Sequence, residues 1–535
     1  MPPSTSEAKH SVLGIVLLFG LVLAAGCGLS WANLDARAGR HDLFMDETIF
    51  FDNVTAIYRA AGVRNTTEAL LVGPDQRYGQ IGFLICAATG AIPYQAGDES
   101  ALVLAIRSTC LVCLLTSYLL FGLCLLRLAP QRPWLALGTV TMCLVLPGTV
   151  YYGTMPKPEP FQLLAIALFA WTALGRGNCT GWPALFLGMA FGAKISTLPL
   201  LVVWAPLVWW DCRNSPCRLG DLVRTGSWMT AGAVLAEPAI LLNIKSYLAS
   251  TFLNTTHGAD RAEIGVGAWM RFIGDGLLGY SGAALAGFVA ALTGLVIWQG
   301  STSIRRHGTA ILEQPGAAQA FLFFAGGGLT LTLVLFQVHR LWHFYLHPGL
   351  VLLIFGGAFA LTWENAINRW IRVGLILAIL GFISQGLTDQ HRKVTKLAHR
   401  SQGADYQLQD RTYRQVLELI HRFIDGTGER LGVIIDPYLW DPGELPWMHR
   451  VCAWGPRYPW AYPGSVAFIG PKLNPLTAPV PPMRSDLDDI ATARADLERA
   501  LAGPNPNWAI WSRGDASMPL LVLVRPQVLR AVPPP

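Results

Sequence analysis

Apolar runs long enough to cross a lipid bilayer recur along the first 387 residues of this 535-residue chain. The first covers residues 12–31, and about 20 residues is the length that a membrane-spanning helix needs. Comparable runs follow at intervals, and the sequence predicts about eleven spans. The predicted spans are 12–31, 101–126, 133–152, 158–174, 182–195, 197–210, 227–242, 273–298, 318–336, 344–363 and 371–387.

The composition favours an α-helical polytopic membrane protein over a soluble enzyme. Only 14% of the residues are charged, against roughly 25% in soluble domains, and 52% are hydrophobic. The net charge of +6 is not gathered into a basic stripe, so the lipid bilayer and not nucleic acid is the expected partner. The first apolar run is longer than the roughly 7–15 residues of a signal-peptide core, and we interpret it as a retained helix.

Arginines between the predicted spans set the expected orientation. They fall in alternate loops, which the positive-inside rule assigns to the cytoplasm together with the N-terminus. This alternation depends on ending one span at Lys194, because an unbroken run would be too long and would bury a lysine. The sequence therefore predicts a multi-pass protein of a cell inner membrane or plasma membrane. The arginines concerned are Arg127, Arg132, Arg176, Arg213, Arg218, Arg224, Arg305, Arg306, Arg369 and Arg372.

Two domains are predicted from the change in composition along the chain. Residues 1–387 form the transmembrane domain, whose first outer loop, 34–100, carries surface helices. Residues 388–535 are more charged and form a small α/β domain on the outer side of the membrane. Its predicted elements are helices near 413–424 and 487–502 and strands at 431–436 and 520–524.

Acidic residues stand at two places where the predicted chain meets the outer surface. Asp46 and Glu47 open an amphipathic stretch in the first outer loop, and Glu159 lies in "KPEP" at the start of a span. Asp46 has a simpler interpretation as the N-cap of a helix that starts at Glu47, since Asp is a favoured cap. Glu159 likewise suits the positive end of a helix dipole. Both interpretations stay open at this point.

Cationic and aromatic side chains on the same predicted face are candidate ligands for a phosphate group. Lys194 lies within an apolar run, where a charge is costly and marks a functional site by default. Its alternative role is to extend toward the interface, and His339 and Arg340 near Trp342 equally suit interfacial anchoring. If Lys194 binds a phosphate, Lys194→Met should lose that binding and fold as well as the wild type or better. The candidate phosphate ligands are Lys157, Lys194, Arg340, His343 and Tyr345.

Several short motifs, in order along residues 13–387, resemble those of the integral-membrane GT-C glycosyltransferases, which include protein O-mannosyltransferases and lipid A aminoarabinose transferases. "MDETIFFDNVTAIYRAAG" is similar to the family's first outer loop, in which an Asp-Glu pair opens a membrane-surface helix. "YGQIGFLICAATGAIPY" looks like the second surface helix, and "PKPEPFQLLAIALFAW" like the second acidic motif, although Asp is commoner than Glu159 there. "GMAFGAKISTLPLL" and "HFYLHPGLVLL" resemble later motifs.

The resemblance implies a GT-C fold and transfer of a sugar from a polyprenyl-phosphate donor to a glycan, lipid or protein acceptor in the cell envelope. The phosphate leaving group needs positive charge more than a proton. The acceptor hydroxyl needs a base, for which Asp46 is the candidate, with Glu47 beside it as the second catalytic candidate. A single base with in-line attack predicts inversion. Glu159 would orient the acceptor or hold a divalent cation, and the sequence leaves metal dependence open.

Two other classes of function use the same charges. A membrane transporter or lipid-sugar flippase would use them as a substrate pathway, although internal repeats, which such proteins often contain, are not apparent. A non-catalytic membrane protein would use the C-terminal domain to bind a partner. Cleavage of the donor's sugar–phosphate bond separates the enzyme from both.

Overall fold

The computed structural model describes most of the helical part of the chain and five strands near its C-terminus. The chain divides into two compact units, the first of residues 1–37 and 44–398 and the second of residues 38–43 and 399–535. The described residues are 5–33, 45–62, 64–71, 79–176, 181–214, 217–245, 247–248, 316–337, 346–362, 369–398, 432–435, 450–452, 465–471, 509–513 and 520–524, with isolated positions at 287–305, 418 and 530.

The first unit is built from α-helices. Its helices in chain order are α1 (Thr5–Asn33), α2 (Met45–Gly62), α3 (Thr66–Leu70), α4 (Gln80–Gln95), α5 (Glu99–Leu128), α6 (Pro133–Val145), α7 (Pro147–Thr154), α8 (Glu159–Arg176), α9 (Gly181–Ala193), α10 (Leu198–Asp211), α11 (Arg218–Ala236), α12 (Ala239–Leu242), α13 (Ala317–Gln337), α14 (Leu346–Ala360) and α15 (Arg369–Ala398).

The apolar character of these helices is compatible with a helical membrane protein. Among the described residues, Val12–Asn33 and Ser100–Leu128 are long and apolar enough to cross a membrane, and α6 with α7 makes a third if the bent pair counts as one span. Val16 and Leu23 on α1 are more than half exposed, as expected of a lipid-facing surface. The predicted span 273–298 lies almost wholly outside the described residues, and the total of about eleven stays a prediction.

One predicted span, 133–152, is not continuous. The chain bends by 67° between α6 and α7 at Pro147. Proline disfavours helical geometry in the residue before it, and Leu146 has φ −59° and ψ 136°. Side chains supply hydrogen bonds to backbone carbonyl groups at the bend. Thr149 Oγ1 donates to the carbonyl of Cys143 at 2.6 Å, which also accepts the N–H of Leu146 at 3.3 Å, and Gln390 Nε2 donates to the carbonyl of Leu144.

Contacts between helix ends show that the helices alternate in direction. At one end of the unit, Arg132 donates to the carbonyl oxygen of Leu361 at 3.1 Å, and the Arg127 guanidinium lies 5.6 Å from the ring centre of Trp171. At the opposite end, Asn33 donates to the carbonyl oxygen of Gly153 at 2.9 Å. We call these the arginine end and the carboxylate end, the latter because Glu159 at the start of α8 also lies there.

The chain reverses at Lys194, in agreement with the predicted break at this residue. Glu159 contacts Lys194, so α9 runs antiparallel to α8. Helix α10 runs in the same direction as α8. Gln162 near the start of α8 donates to Thr197 at the start of α10, and Phe169, two turns further along α8, packs edge-on against Trp204 at 6.5 Å. A single 3₁₀ turn, Ile195–Thr197, makes the connection.

Close approach of helices depends on small residues. A Cβ on Gly188 would collide with the backbone of Met229, and one on Gly232 would collide with that of Leu185. The axes of α9 and α11 can therefore lie close together only because glycine occupies both positions, which is typical of helix packing in apolar surroundings.

The predicted span 227–242 is interrupted where α11 ends at Ala236.

The second unit contains a five-stranded sheet of order β2-β1-β3-β5-β4. Strand β1 pairs in parallel with β2 and with the central β3, whereas β5 is antiparallel to β3 and β4. The predicted strands at 431–436 and 520–524 are confirmed, and the predicted helices at 413–424 and 487–502 lie outside the described residues apart from Glu418. The predicted boundary after residue 387 falls inside α15. The strands are β1 (Gly432–Ile435), β2 (Arg450–Cys452), β3 (Ser465–Pro471), β4 (Ala509–Arg513) and β5 (Leu520–Val524).

Candidate functional site

The helix that carries the paired acids docks beside the start of α8. Helix α2 begins at Met45, so Asp46 lies in its first turn and not at a cap preceding Glu47; the side chains of both acids lie outside the described part. One turn after Asp46, Phe50 packs edge-on against Phe83 of α4 at 4.8 Å and stacks on Phe161 of α8 at 6.4 Å. The first turn of α2 therefore lies near the first turn of α8.

A second contact fixes the other end of α2. The Tyr58 hydroxyl donates to the carbonyl oxygen of Ala87, and its ring stacks on Tyr94 at 4.1 Å. Burial raises the pKa of Tyr58 to about 12, with Cys86 and Tyr94 adding to the rise, so the hydroxyl stays protonated and remains a donor. Because α2 contacts α4 at both ends, the two helices form one layer.

Glu159 and Lys194 form a buried ion pair at the carboxylate end. The Glu159 side chain is 2% exposed and that of Lys194 is 16% exposed, and Lys194 Nζ donates to Glu159 Oε1. Glu159 Oε2 is buried and accepts no hydrogen bond from any described residue. The pair changes one expectation: Lys194→Met would leave a buried carboxylate without its cation, so it should not fold as well as the wild type.

Lys157 is a second buried cation next to this pair. It is 2% exposed, and its Nζ lies 5.6 Å from the ring centre of Tyr151. Burial lowers the pKa of Lys157 to about 7; Glu159 opposes this shift and Lys194 adds to it. A phosphate group placed here would favour the charged form.

Gln162 belongs to the same cluster, although the sequence had not singled it out. It lies one turn after Glu159 on α8, and its Nε2 donates to Thr197 Oγ1 at 2.8 Å and to Ser196 Oγ at 3.1 Å. Its Oε1 is buried and has no hydrogen-bond partner within the described part of the chain. The available signal was the i, i+3 spacing in "EPFQ", which puts the two side chains on one face of a helix.

Glu237 is a further buried acid that the sequence reasoning missed. It is 3% exposed and ends α11, and its Oε2 accepts the backbone N–H of Gln80 at 3.1 Å, at the start of α4. The available signal was a Glu-Pro pair, which also occurs at Glu159, here at the end of an apolar run instead of its start.

The other predicted phosphate ligands, Arg340, His343 and Tyr345, lie outside the described residues, as does His339. The helix that follows them, α14, is fixed at its first turn: His347 Nε2 lies 2.7 Å from the Tyr118 hydroxyl, which is 3.0 Å from Thr149 Oγ1.

The described part of the chain contains no group of three His, Cys, Asp or Glu side chains close enough to hold a metal ion. No family model, curated protein or solved structure matches the chain.

Proposed function

We propose that this protein is an integral-membrane glycosyltransferase of the GT-C type. It moves a sugar from a polyprenyl-phosphate donor to an acceptor hydroxyl outside the cytoplasm, with inversion. The observation that carries the proposal is the buried Glu159–Lys194 pair with buried Lys157, at the end of the unit where α2 begins. Charges buried this deeply are costly to keep and are typical of functional sites in apolar surroundings.

In the proposed reaction, Asp46 takes the proton of the acceptor hydroxyl as its oxygen attacks C1 of the sugar. The bond between C1 and the phosphate oxygen breaks, and the phosphate leaves with the electron pair. Lys157 and Lys194, with Arg340, His343 and Tyr345, stabilise the charge that develops on the leaving phosphate. Glu47 assists Asp46, and a divalent cation held with Glu159 is compatible with this scheme.

The acceptor oxygens of the Glu159–Gln162 face suit the hydroxyl groups of a sugar or its acceptor. Glu159 Oε2 and Gln162 Oε1 are both buried and can each accept a hydrogen bond. A buried acceptor without a donor costs about 1–3 kcal/mol, which a ligand hydroxyl would recover. Glu159 thereby orients a hydroxyl while it neutralises Lys194.

The proposed topology has a cytoplasmic N-terminus, about eleven spans and the C-terminal sheet outside. The alternating helix directions support it, because Arg127 and Arg132 share one end and Glu159 and Lys194 the other. Reporter fusions after Arg306 and at the C-terminus should give opposite signals. Equal signals would mean that the number of spans between them is wrong.

A transporter or lipid-sugar flippase is the second candidate, and the bend of 67° between α6 and α7 favours it, since broken helices line many transport sites. The test uses purified protein in lipid nanodiscs and in vesicles with radiolabelled polyprenyl-phosphate sugars. Release of polyprenyl phosphate with a labelled acceptor supports the transferase. Movement of intact donor across the vesicle membrane without bond cleavage supports the transporter and overturns the proposal.

A further inference from the structure

Helix α4 begins without a cap from its own sequence. The preceding residue, Gly79, has φ +50°, and a Cβ there would lie 2.5 Å from the Cα of Ala193. Only glycine fits this approach, so position 79 cannot supply the side-chain acceptor that the first N–H groups of a helix need. The start of α4 is therefore pressed against the residue before Lys194 and depends on another part of the chain for its cap.

Glu237 supplies that cap across a long sequence separation. Its Oε2 accepts the N–H of Gln80 at 3.1 Å, and its Oε1 accepts the N–H of Ala239 at 3.0 Å. One buried carboxylate thus holds the start of α4 and the turn after α11. The Gln80 side chain extends the junction, because its Nε2 donates to the carbonyl oxygen of Ala69 in α3 at 2.8 Å.

The hydrogen bonds of Glu237 and Gln80 at the start of α4 hold more than one helix in place. Helices α2, α3 and α4, which we call the surface platform, are joined by the Tyr58–Ala87 hydrogen bond, the Phe50–Phe83 contact and the Gln80–Ala69 bond. Asp46 lies on this platform, whereas Glu159 begins α8 and Lys194 follows the last residue of α9, both outside the platform. The position of Asp46 relative to the Glu159–Lys194 pair therefore depends on how the platform is attached to the rest of the helical unit.

We propose that Glu237 is a positioning residue, which clamps the surface platform against the Lys194 reversal and so sets the first turn of α2 opposite the Glu159–Lys194 pair. The reaction that this serves rests on the proposed function; the clamp itself does not. Near-attack geometry is sensitive to displacement, and a shift of about 1 Å costs on the order of 10²-fold in rate.

The experiment compares Glu237→Ala with Asp98→Ala. Asp98 is the control for loss of a local helix cap: it is exposed, and its Oδ1 caps α5 through the N–H of Ala101 at 2.9 Å, three residues away. Amide hydrogen exchange is measured over residues 79–95, and kcat and the apparent donor KM are measured with the radiolabelled polyprenyl-phosphate sugar that the wild type uses. In Glu237→Ala we expect exchange at the start of α4 to rise about tenfold or more and kcat to fall on the order of 10²-fold, with KM within about twofold.

Asp98→Ala should leave exchange at the start of α4 and kcat near wild-type values. If Glu237→Ala does not fold, Glu237→Gln provides the test: its amide oxygen keeps one of the two N–H bonds, and both effects should be smaller and in the same direction. Unchanged exchange at the start of α4 overturns the clamp. Increased exchange throughout the helical unit, with kcat and KM changing together, shows a general structural role and also overturns it. If the wild type transfers no sugar, the proposed function fails, and the exchange result still decides the clamp.

Discussion

Separating the buried charges of Glu159 and Lys194 gives a quantitative test of the candidate site. Lys194→Met removes the cation and leaves a carboxylate whose side chain is 2% exposed, and Glu159→Leu leaves the lysine. Removing one partner of a buried ion pair costs about 3–5 kcal/mol, because the remaining charge stays desolvated. The double variant Glu159→Leu/Lys194→Met removes both charges, and replacement of a buried pair by apolar residues is often neutral or stabilising.

The assay is reversible unfolding of the purified protein in mixed micelles, with each free energy of unfolding compared under identical conditions. We expect both single variants to lose about 3–5 kcal/mol and the double variant to recover most of that loss. The surface pair Asp221–Arg224, with atoms 3.3 Å apart, an exposed arginine and a half-buried aspartate, provides the control, and Arg224→Met should change stability by less than about 1 kcal/mol.

A loss in Lys194→Met no larger than in Arg224→Met would refute the reasoning, and so would a double variant less stable than either single variant. All variants that lack Lys194 should also bind donor more weakly if this lysine holds the phosphate. That outcome separates stability from binding, because the double variant regains stability but does not regain donor binding.

Three further results are expected. Asp46→Asn should reduce transfer roughly 10²–10⁴-fold with unchanged thermal stability, and an active enzyme would exclude Asp46 as the base. The pKa of Lys157 is about 7 in the folded protein against 10.5 ordinarily, so between these pH values the folded chain binds fewer protons than the unfolded chain. The free energy of unfolding should therefore rise from pH 7 to pH 10. The same pH titration of Lys157→Met should lack this rise. Gln390→Leu should lower the free energy of unfolding by about 1–3 kcal/mol, since the carbonyl of Leu144 loses its donor, and an unchanged value in the same micelles would contradict this.

Hydropathy predicted the positions of the main helices well, because a segment that is apolar over some 20 residues, with at most one charged side chain, has few alternatives to a helix in apolar surroundings. The run at 101–126 lies within α5, and the strand predicted at 520–524 coincides with β5. The bend at Pro147 was missed because hydropathy does not distinguish proline in a straight span from proline at a break. Local geometry decides whether the helix breaks: Pro147 has no backbone N–H to donate, and helical geometry is disfavoured for Leu146 before it.

The contacts within the candidate site were harder to predict than its residues. Lys194 and Glu159 were both named from the sequence, yet they lie 35 residues apart, and only the α8–α9 packing brings them together. Gln80 and Glu237 are separated by 157 residues, and the need for that bond arises from a backbone approach at Gly79 that composition cannot reveal. Residue type identified chemically active side chains, whereas their partners depend on tertiary packing.

The bend between α6 and α7 limits where the chain can be shortened. Gln390, which covers the carbonyl of Leu144, lies 246 residues downstream and beyond the last apolar run, in the polar part of α15. A fragment that stops at residue 387 keeps every predicted span but opens a backbone group near the middle of the helical unit. A fragment that stops at 398 retains the whole of α15. The shortest fragment that preserves this unit is therefore set by the hydrogen bond from Gln390 to the carbonyl of Leu144, and not by the end of the last apolar run.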